Sequence, residues 1–497
     1  MSAKALMIQG TGSHVGKSLL AAALCRIFTQ DGHRVRPFKA QNMSNNADVT
    51  PDGGEIGRAQ AEQARACRAE PSVLMNPILL KPTTDCGAQV IVLGRAVGTM
   101  SAREYQAFKP TLLGTLRDAL RTLRDQADLL ILEGAGSPAE INLKSHDLVN
   151  MWAAKEAGAT VLLVGDIDRG GVFAQLVGTM ELLDEDEQAL VGGFLINKFR
   201  GDPSLLASGL EWLQARYGRP VLGTVPWFSH LAFAEEDTVP SHRFEAAGAD
   251  GRLRIEVVHL PRISNFTDVD PLAQEPDVYV SFITRPPLNG ATPDCLILPG
   301  TKSTIADLAA LRFQGFESYL HRCVQAGTEV VGLCGGFQML CREIRDPEGV
   351  EASVPSAPGF GLLPAKAVFQ SSKTVAQVQG VHLESRLPVS GYEIHMGQMQ
   401  PLAAARPVFR LTERGGQPVD GGDGLSSADG RIWGTHVHGV FEAAEFRGWW
   451  LNRLRRRKGL SERHAEPSPQ ARDVYDELAA LVRPHLDMDR LTRLVWG

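Results

Sequence analysis

The sequence predicts an α/β chain of two successive domains, each organised around a mostly parallel sheet. Three observations carry this. Short, near-continuously apolar runs alternate with helical patterns from the start of the chain, as strands covered on both faces require. The alternation breaks at a polar stretch with small residues and glycines around residues 240–252, then begins again. The 497 residues also exceed what one ordinary core organises, so roughly two to four domains are expected.

Taken in order, the strands expected in the first half are Ala5–Gln9, Asp128–Leu132, Val161–Val164, Val191–Ile196 and Val221–Val225. Helical stretches between them imply parallel pairing of the doubly wound type. The second series is Ile255–Leu260, Val278–Ser281, Cys295–Leu298, Glu329–Leu333 and Arg431–Gly434. Residues 345–430 are rich in Gly, Pro and Ser, so loops and short strands are expected there. The expected boundaries are a first domain at 1–240, a linker at 241–252, a second domain at 253–445 and a helical tail at 446–497 packed on the chain.

Composition narrows the function classes. At 43% hydrophobic and 22% charged, the chain is globular rather than disordered. A net charge of -6 gives no nucleic-acid signature. The one basic run, Arg453 to Lys458, reads as a solvated helix face. No stretch approaches the roughly 20 apolar residues of a membrane span. Seven cysteines without a C-x-x-C pair fit a reducing cytoplasm.

The first motif is Gly10-Thr11-Gly12-Ser13-His14-Val15-Gly16-Lys17-Ser18, between a strand and the helical run LLAAALCRIF. Backbone N–H groups at such a helix start cradle phosphates. Lys17 would neutralise β/γ-phosphate charge and the Ser18 hydroxyl would ligate magnesium. Thr11 stands where the strict loop pattern has glycine, with Gly10 one place earlier. This variant resembles the dethiobiotin synthetase branch of P-loop proteins. Gly12, five places before Lys17, differs from the extra lysine of the septum-site and partition ATPases.

Acidic groups should complete such a site. Glu133 ends an apolar strand, where a carboxylate faces the ligand crevice of a parallel sheet; the resemblance supports it as a metal ligand and places Glu55 on a second metal-binding position. Asp166, Asp168 and Arg169 follow the next strand and suit an anionic, metal-associated substrate. Asn197 stands where this branch often has an asparagine that reads adenine.

In the second half, the strand Val330–Leu333 turns at once into Cys334-Gly335-Gly336-Phe337-Gln338. A cysteine at a strand-to-helix elbow, flanked by small residues, suits a nucleophile: the helix start lowers the thiol pKa and aims N–H groups at a developing oxyanion. Amide hydrolysis also needs a general base. His436 and His438, in WGTHVHGVF, both qualify by spacing. The loop LPGTKST offers Gly300 and Thr301 as further oxyanion donors, beside Gly335 and Gln338 of the elbow.

Together these motifs, in this order, resemble the cobyric acid synthase family. The likeness rests on PFKAQNMSNNADVTPDGGEIGRAQA, MNPILLKPT, LEGAGSPAEINL, DLVNM, DIDRGGVFA, INKFRGD, LPGTKST, GLCGGFQML and GYEIHMG, and spans essentially the whole chain. It implies a P-loop synthetase domain followed by a class I, triad-type glutamine amidotransferase domain. The implied reaction is ATP- and glutamine-dependent amidation of carboxylates b, d, e and g of adenosylcobyrinic acid a,c-diamide. The implied partners are ATP with Mg2+, L-glutamine and a corrinoid, with no tightly bound organic cofactor. The family's H-G-[VILF]-F histidine corresponds to His438. Val440 stands where other triad glutaminases carry the orienting acid, leaving Glu442, Glu393 or no group for that role. The resemblance also nominates Lys39, Asn42, Asn45, Asp147, Asp166 and Arg169 on the substrate side. The sister a,c-diamide synthase shares the architecture but lacks the QNMS-type segment. A partner-recruiting P-loop ATPase with a decayed amidotransferase domain is the alternative of a different class.

Overall fold

The computed structural model describes residues 3–83, 87–228, 251–287, 292–352, 354–402, 405–464 and 474–497. The first half is built on a six-stranded parallel sheet, in the order Val221–Pro226, Val191–Phe199, Thr160–Asp166, Lys4–Gly10, Leu129–Glu133 and Val35–Phe38. Strand Lys4–Gly10 lies inside the sheet, and the chain leaves its carboxyl end into the helix Lys17–Gln30. That helix buries Leu20, Leu24, Ile27 and Phe28, each contributing about 1.5–3 kcal/mol of hydrophobic stabilisation. All five strands expected in this half are present, most of them longer by one to three residues. Val35–Phe38 adds a sixth, too short to stand out from its polar flanks.

The second half has its own sheet, in the order Val278–Ile283, Leu253–Val258, Cys295–Leu298, Glu329–Leu333, Ile432–Thr435 and Leu425–Ser426. All neighbours pair in parallel except the last two. The chain is thus two α/β units, each with its reactive loops beyond the carboxyl ends of parallel strands.

Three features depart from the sequence reading. Residues 345–430 are not short strands in loops: Leu363–His382 and Pro388–Pro401 form a long antiparallel hairpin. Its inward positions are small, such as Ala365 and Ala367, so the period-two signal is weak. The first half also carries a second sheet, Gln41–Met43, Ile78–Pro82, Gly87–Val92 and Arg95–Ser101. The tail is divided: helix Ala444–Lys458 packs into the core of the second half, whereas Val474–Val482 and Met488–Trp496 return to cover the first half. The expected linker at 241–252 lies outside the described residues up to residue 250.

The halves meet through an apolar seam of Ala47, Val49, Leu79 and Ile91 against Tyr392 and Ile394. Beside it, Asn265 donates to the Ala47 carbonyl at 2.7 Å and Thr267 to the Asn46 side chain at 3.2 Å. No helix among the described residues is long and apolar enough to cross a membrane.

Candidate active site: a phosphate loop and a cysteine relay

The loop after Lys4–Gly10 is shaped by local sterics. Gly16 has φ +94°, and a Cβ there would lie 2.1 Å from the Asn197 amide nitrogen; only glycine fits. Asn197 in turn donates to the Val15 carbonyl at 2.8 Å. Lys17 curls back over the loop, its Nζ donating to the carbonyls of Gly12 at 2.8 Å and Gly136 at 3.0 Å. A bound phosphate offers stronger, charged acceptors to the same ammonium.

Ser18 donates to Glu133 Oε1 at 2.8 Å. The Glu133 carboxylate is buried and also receives Lys39 at 2.7 Å, Gln63 at 2.5 Å and Gln60 at 3.4 Å. A hydroxyl and a carboxylate side by side at a phosphate loop are hard oxygen donors, the set that suits Mg2+ completed by phosphate and water. Among the described residues, no group of three His, Cys, Asp or Glu side chains could hold a metal by itself.

Lys17, Lys39, Asn42 and Asp147 line one crevice with Gln41, Met43 and Gly136. Asp147 is held as a helix cap, accepting from the backbone N–H groups of Val149, Asn150 and Trp152 at 2.9–3.0 Å. Three other proposed substrate-side groups, Asn45, Asp166 and Arg169, lie outside that lining. Asn45 donates to the Pro82 carbonyl at 3.4 Å, and Arg169 is exposed, 4.0 Å from Asp166. Asp166 pairs with Lys198 at 3.2 Å, and Lys198 also donates to the His14 carbonyl. Asp166 therefore braces the phosphate loop.

Glu55 is a correction. It is buried away from the Ser18–Glu133 pair, and its two oxygens receive Lys81 at 2.6 Å and Lys373 at 2.5 Å. Burial opposes its charge, but the two ammonium groups win and hold the carboxyl down at about 2. The structure thus gives both oxygens of this carboxylate to two lysines at the seam between the halves, and sets Glu133 rather than Glu55 against Ser18.

In the second half, Cys334 occupies the elbow with φ +48° and ψ -106°. That is a strained conformation for a residue with a Cβ. It is fixed because Cys334 N–H donates to the Thr435 carbonyl at 2.8 Å, and because a Cβ on Gly336 would sit 2.0 Å from the Leu298 carbonyl oxygen. The neighbouring strand end leaves no room for anything larger.

His438 feels the charge of Cys334, whose thiol donates to the Ile394 carbonyl at 3.5 Å. Its Nδ1 is 2.7 Å from Asp268 Oδ2, and the other Asp268 oxygen accepts the Gly439 N–H at 2.8 Å. Burial works against a charged imidazole, but Asp268 and Cys334 outweigh it and push its pKa up to about 10. Tyr392 stacks on the ring, centroids 5.4 Å apart. Asp268 is the orienting acid that sequence reasoning missed. It lies in NFTDVD, 170 residues before the histidine, and no short-range pattern links the two. The two nominated acids are engaged elsewhere: Glu442 with Arg58 at 3.2 Å, and Glu393 with Arg414 at 2.7 Å.

His436 faces another cavity, lined with Glu393, His395, Arg414 and Asp423. The chain breaks between Ile432–Thr435 and Val437–His438, which join different sheets, so strand alternation does not carry from one histidine to the other. Gly300, Thr301, Gly335 and Gln338 cluster at the elbow. Thr301 N lies 3.0 Å from where a Gly335 Cβ would be. The Thr301 hydroxyl is engaged with the Arg262 carbonyl and Asp307, leaving its backbone as the group that can face a ligand. Gln338 accepts from Thr304 at 3.2 Å and lines the Cys334 cavity.

A phosphate loop and a buried Cys-His-Asp relay define the class: a nucleotide-binding domain fused to a glutamine amidotransferase domain. Family models agree, with a CobQ/CobB/MinD/ParA nucleotide binding domain over residues 6–240 and a CobB/CobQ-like glutamine amidotransferase domain over residues 254–446. Curated relatives called cobyric acid synthase match end to end. The Dehalococcoides mccartyi (strain CBDB1) protein is 48% identical, covering 98% of each chain. That of Sorangium cellulosum is 49% identical over 100% of this chain and 99% of its own, and that of Syntrophobacter fumaroxidans 46% over 99% of each. The chain belongs to the cobyric acid synthase family.

Proposed function

We propose that the chain amidates carboxylates b, d, e and g of adenosylcobyrinic acid a,c-diamide, using ATP and glutamine, to give adenosylcobyric acid. The observation that carries this is the intact Cys334–His438–Asp268 relay in one chain with an intact phosphate loop, in a protein similar from end to end to cobyric acid synthases. An intact relay also speaks against a decayed amidotransferase domain.

The His438 imidazole takes the Cys334 proton, and Asp268 holds the ring and stabilises its charge. The thiolate attacks the glutamine amide carbon. Backbone N–H groups at Gly300, Thr301 and Gly335 stabilise the oxyanion. His438 then protonates the departing ammonia, and water releases glutamate. At the other site Lys17 and the loop N–H groups hold the ATP phosphates while a substrate carboxylate attacks the γ-phosphorus. Ammonia displaces phosphate from the resulting acyl phosphate, leaving amide, ADP and phosphate. Ser18 and Glu133 would hold Mg2+, which supplies charge neutralisation at the phosphates. Lys39, Asn42 and the Asp147 turn line the crevice where the corrinoid carboxylate enters. The unpaired free cysteines support work in the cytoplasm.

The test is product mass. Incubated with the a,c-diamide, ATP, Mg2+ and glutamine, the protein should lower the corrinoid mass by about one unit per carboxyl converted, in four successive steps. A single unchanged corrinoid, with glutamine and ATP both consumed, would overturn the assignment of substrate.

A further inference from the structure

The cavity that holds Cys334 and Gln338 is also lined by Lys81, Lys302, Glu351 and Lys373. Their charges are not equivalent. Lys81 and Lys373 are both ion-paired to the single Glu55 carboxylate, so this cluster keeps one net positive charge. Lys302 directly follows Thr301 of the elbow loop, and its ammonium joins none of the ion pairs within 4 Å among the described residues. Among the described residues Glu351 accepts only from neutral donors, the Ile305 N–H at 3.1 Å and the Thr304 hydroxyl at 3.3 Å. Thr304 also donates to Gln338, so one short turn fixes both the acid and the glutamine-side amide.

Outside the Glu55 cluster, the cavity thus presents one cation and one carboxylate that form no ion pair within 4 Å among the described residues, although each feels the other's charge. Glutamine carries one carboxylate and one ammonium on its α-carbon, beyond the amide that Cys334 attacks. We propose that Lys302 binds the α-carboxylate of glutamine and Glu351 its α-ammonium, so that this pair selects the free amino acid over other primary amides. The proposal rests on the glutaminase reading of Cys334. The electrostatics favour a ligand that carries both charges. Burial and the nearby Lys81 depress the Lys302 ammonium. Burial raises Glu351 to about 7 against the pull of Lys302. A zwitterion placed between them supplies to each a counter-charge in direct contact.

The experiment crosses two variants with two truncated substrates. Glutaramic acid lacks the α-ammonium, and 4-aminobutanamide lacks the α-carboxylate. Ammonium-driven amidation, which bypasses Cys334, reports that each variant folds. Lys302→Met should raise the KM for glutamine by about tenfold to a hundredfold with a smaller change in kcat. It should also abolish the preference for glutamine over 4-aminobutanamide, while keeping the preference over glutaramic acid. Glu351→Gln should show the converse. Variants that keep the wild-type preference against both truncated amides would overturn the proposal even if their KM rises, because a merely structural role moves KM without moving that ratio. A wild-type protein that hydrolyses no amide at all would instead sink the glutaminase reading beneath it.

Discussion

The phosphate loop and the cysteine elbow both sit where a parallel strand runs into a helix, yet they manage charge in opposite ways. Around Lys17 most of the binding groups are neutral backbone dipoles, and the large charge arrives with the ligand. The loop tip, Ser13 and His14, is exposed, and Lys17 rests on two carbonyl oxygens until phosphate comes. Around Cys334 the charges are resident and buried, and most are compensated inside the protein. Asp268 answers His438, and Glu55 answers Lys81 and Lys373. The phosphate cradle, Gly10 to Ser18, is one contiguous segment, with the buried Glu133–Lys39 pair beside it drawn from elsewhere in the chain. A site that stores its own charge needs partners from several.

The sharpest way to break that contrast is to disable one site at a time. Cys334→Ser should lower glutamine-driven amidation by about a thousandfold or more while ammonium salts still support turnover. Lys17→Ala should lower both, by about a hundredfold or more. Equal loss of both activities in a folded Cys334→Ser protein would mean that the sites are not separable. Next in size, Asp268→Asn should cost about 10²- to 10⁴-fold in glutamine hydrolysis. It also carries a pH signature. His438 is raised from an ordinary value near 6.5 to about 10, so its pairing stabilises the fold fully below pH ~6.5 and the contribution fades as pH climbs to about 10. The gap in unfolding midpoint between wild type and Asp268→Asn should therefore narrow across that window. A gap independent of pH would count against the ion pair.

Glu55→Gln acts on the seam and, through Lys81 and Lys373, on the wall of the Cys334 cavity. It leaves two buried lysines sharing an amide, at a cost of about 3–5 kcal/mol. Because Glu55 sits at about 2, below its ordinary value of 4.5, its contribution is present above pH ~4.5 and is lost as pH falls through about 2. Urea unfolding at neutral pH should show the loss, and Mg-ATP binding by the refolded variant should be close to wild type. A selective loss of Mg2+ affinity would restore the metal-ligand role that the sequence comparison suggested.

The same contrast explains what was legible in the sequence. The parallel strands announce themselves by apolar runs, and the phosphate loop and elbow by glycines that backbone geometry demands. Glu133 was readable because it ends a strand. Asp268 was not, because its partner is 170 residues away and only the packing of the segment after Leu260 against the His438 turn brings them together. Glu55 was misplaced because motif similarity gives a position, whereas its lysine partners come from two separate strands, one in each half. The long hairpin was hidden by its small inward side chains.

The smallest predicted effect concerns Asn197, where the two readings of one residue separate. As an adenine reader it would discriminate between bases. In the structure its amide donates to the Val15 carbonyl and fills the space beside Gly16, so its weight falls on loop shape. Losing one such hydrogen bond costs about 0.5–1.5 kcal/mol. Asn197→Ala should thus raise the KM for ATP by up to about tenfold, with the same proportional rise for GTP in place of ATP. Competition by inorganic triphosphate, which has no base, should weaken in step, because the loop holds phosphates alone. If triphosphate binds the variant as well as it binds wild type while ATP affinity falls, the contact is to the base, and the loop owes its shape to Gly16 and Lys198 instead.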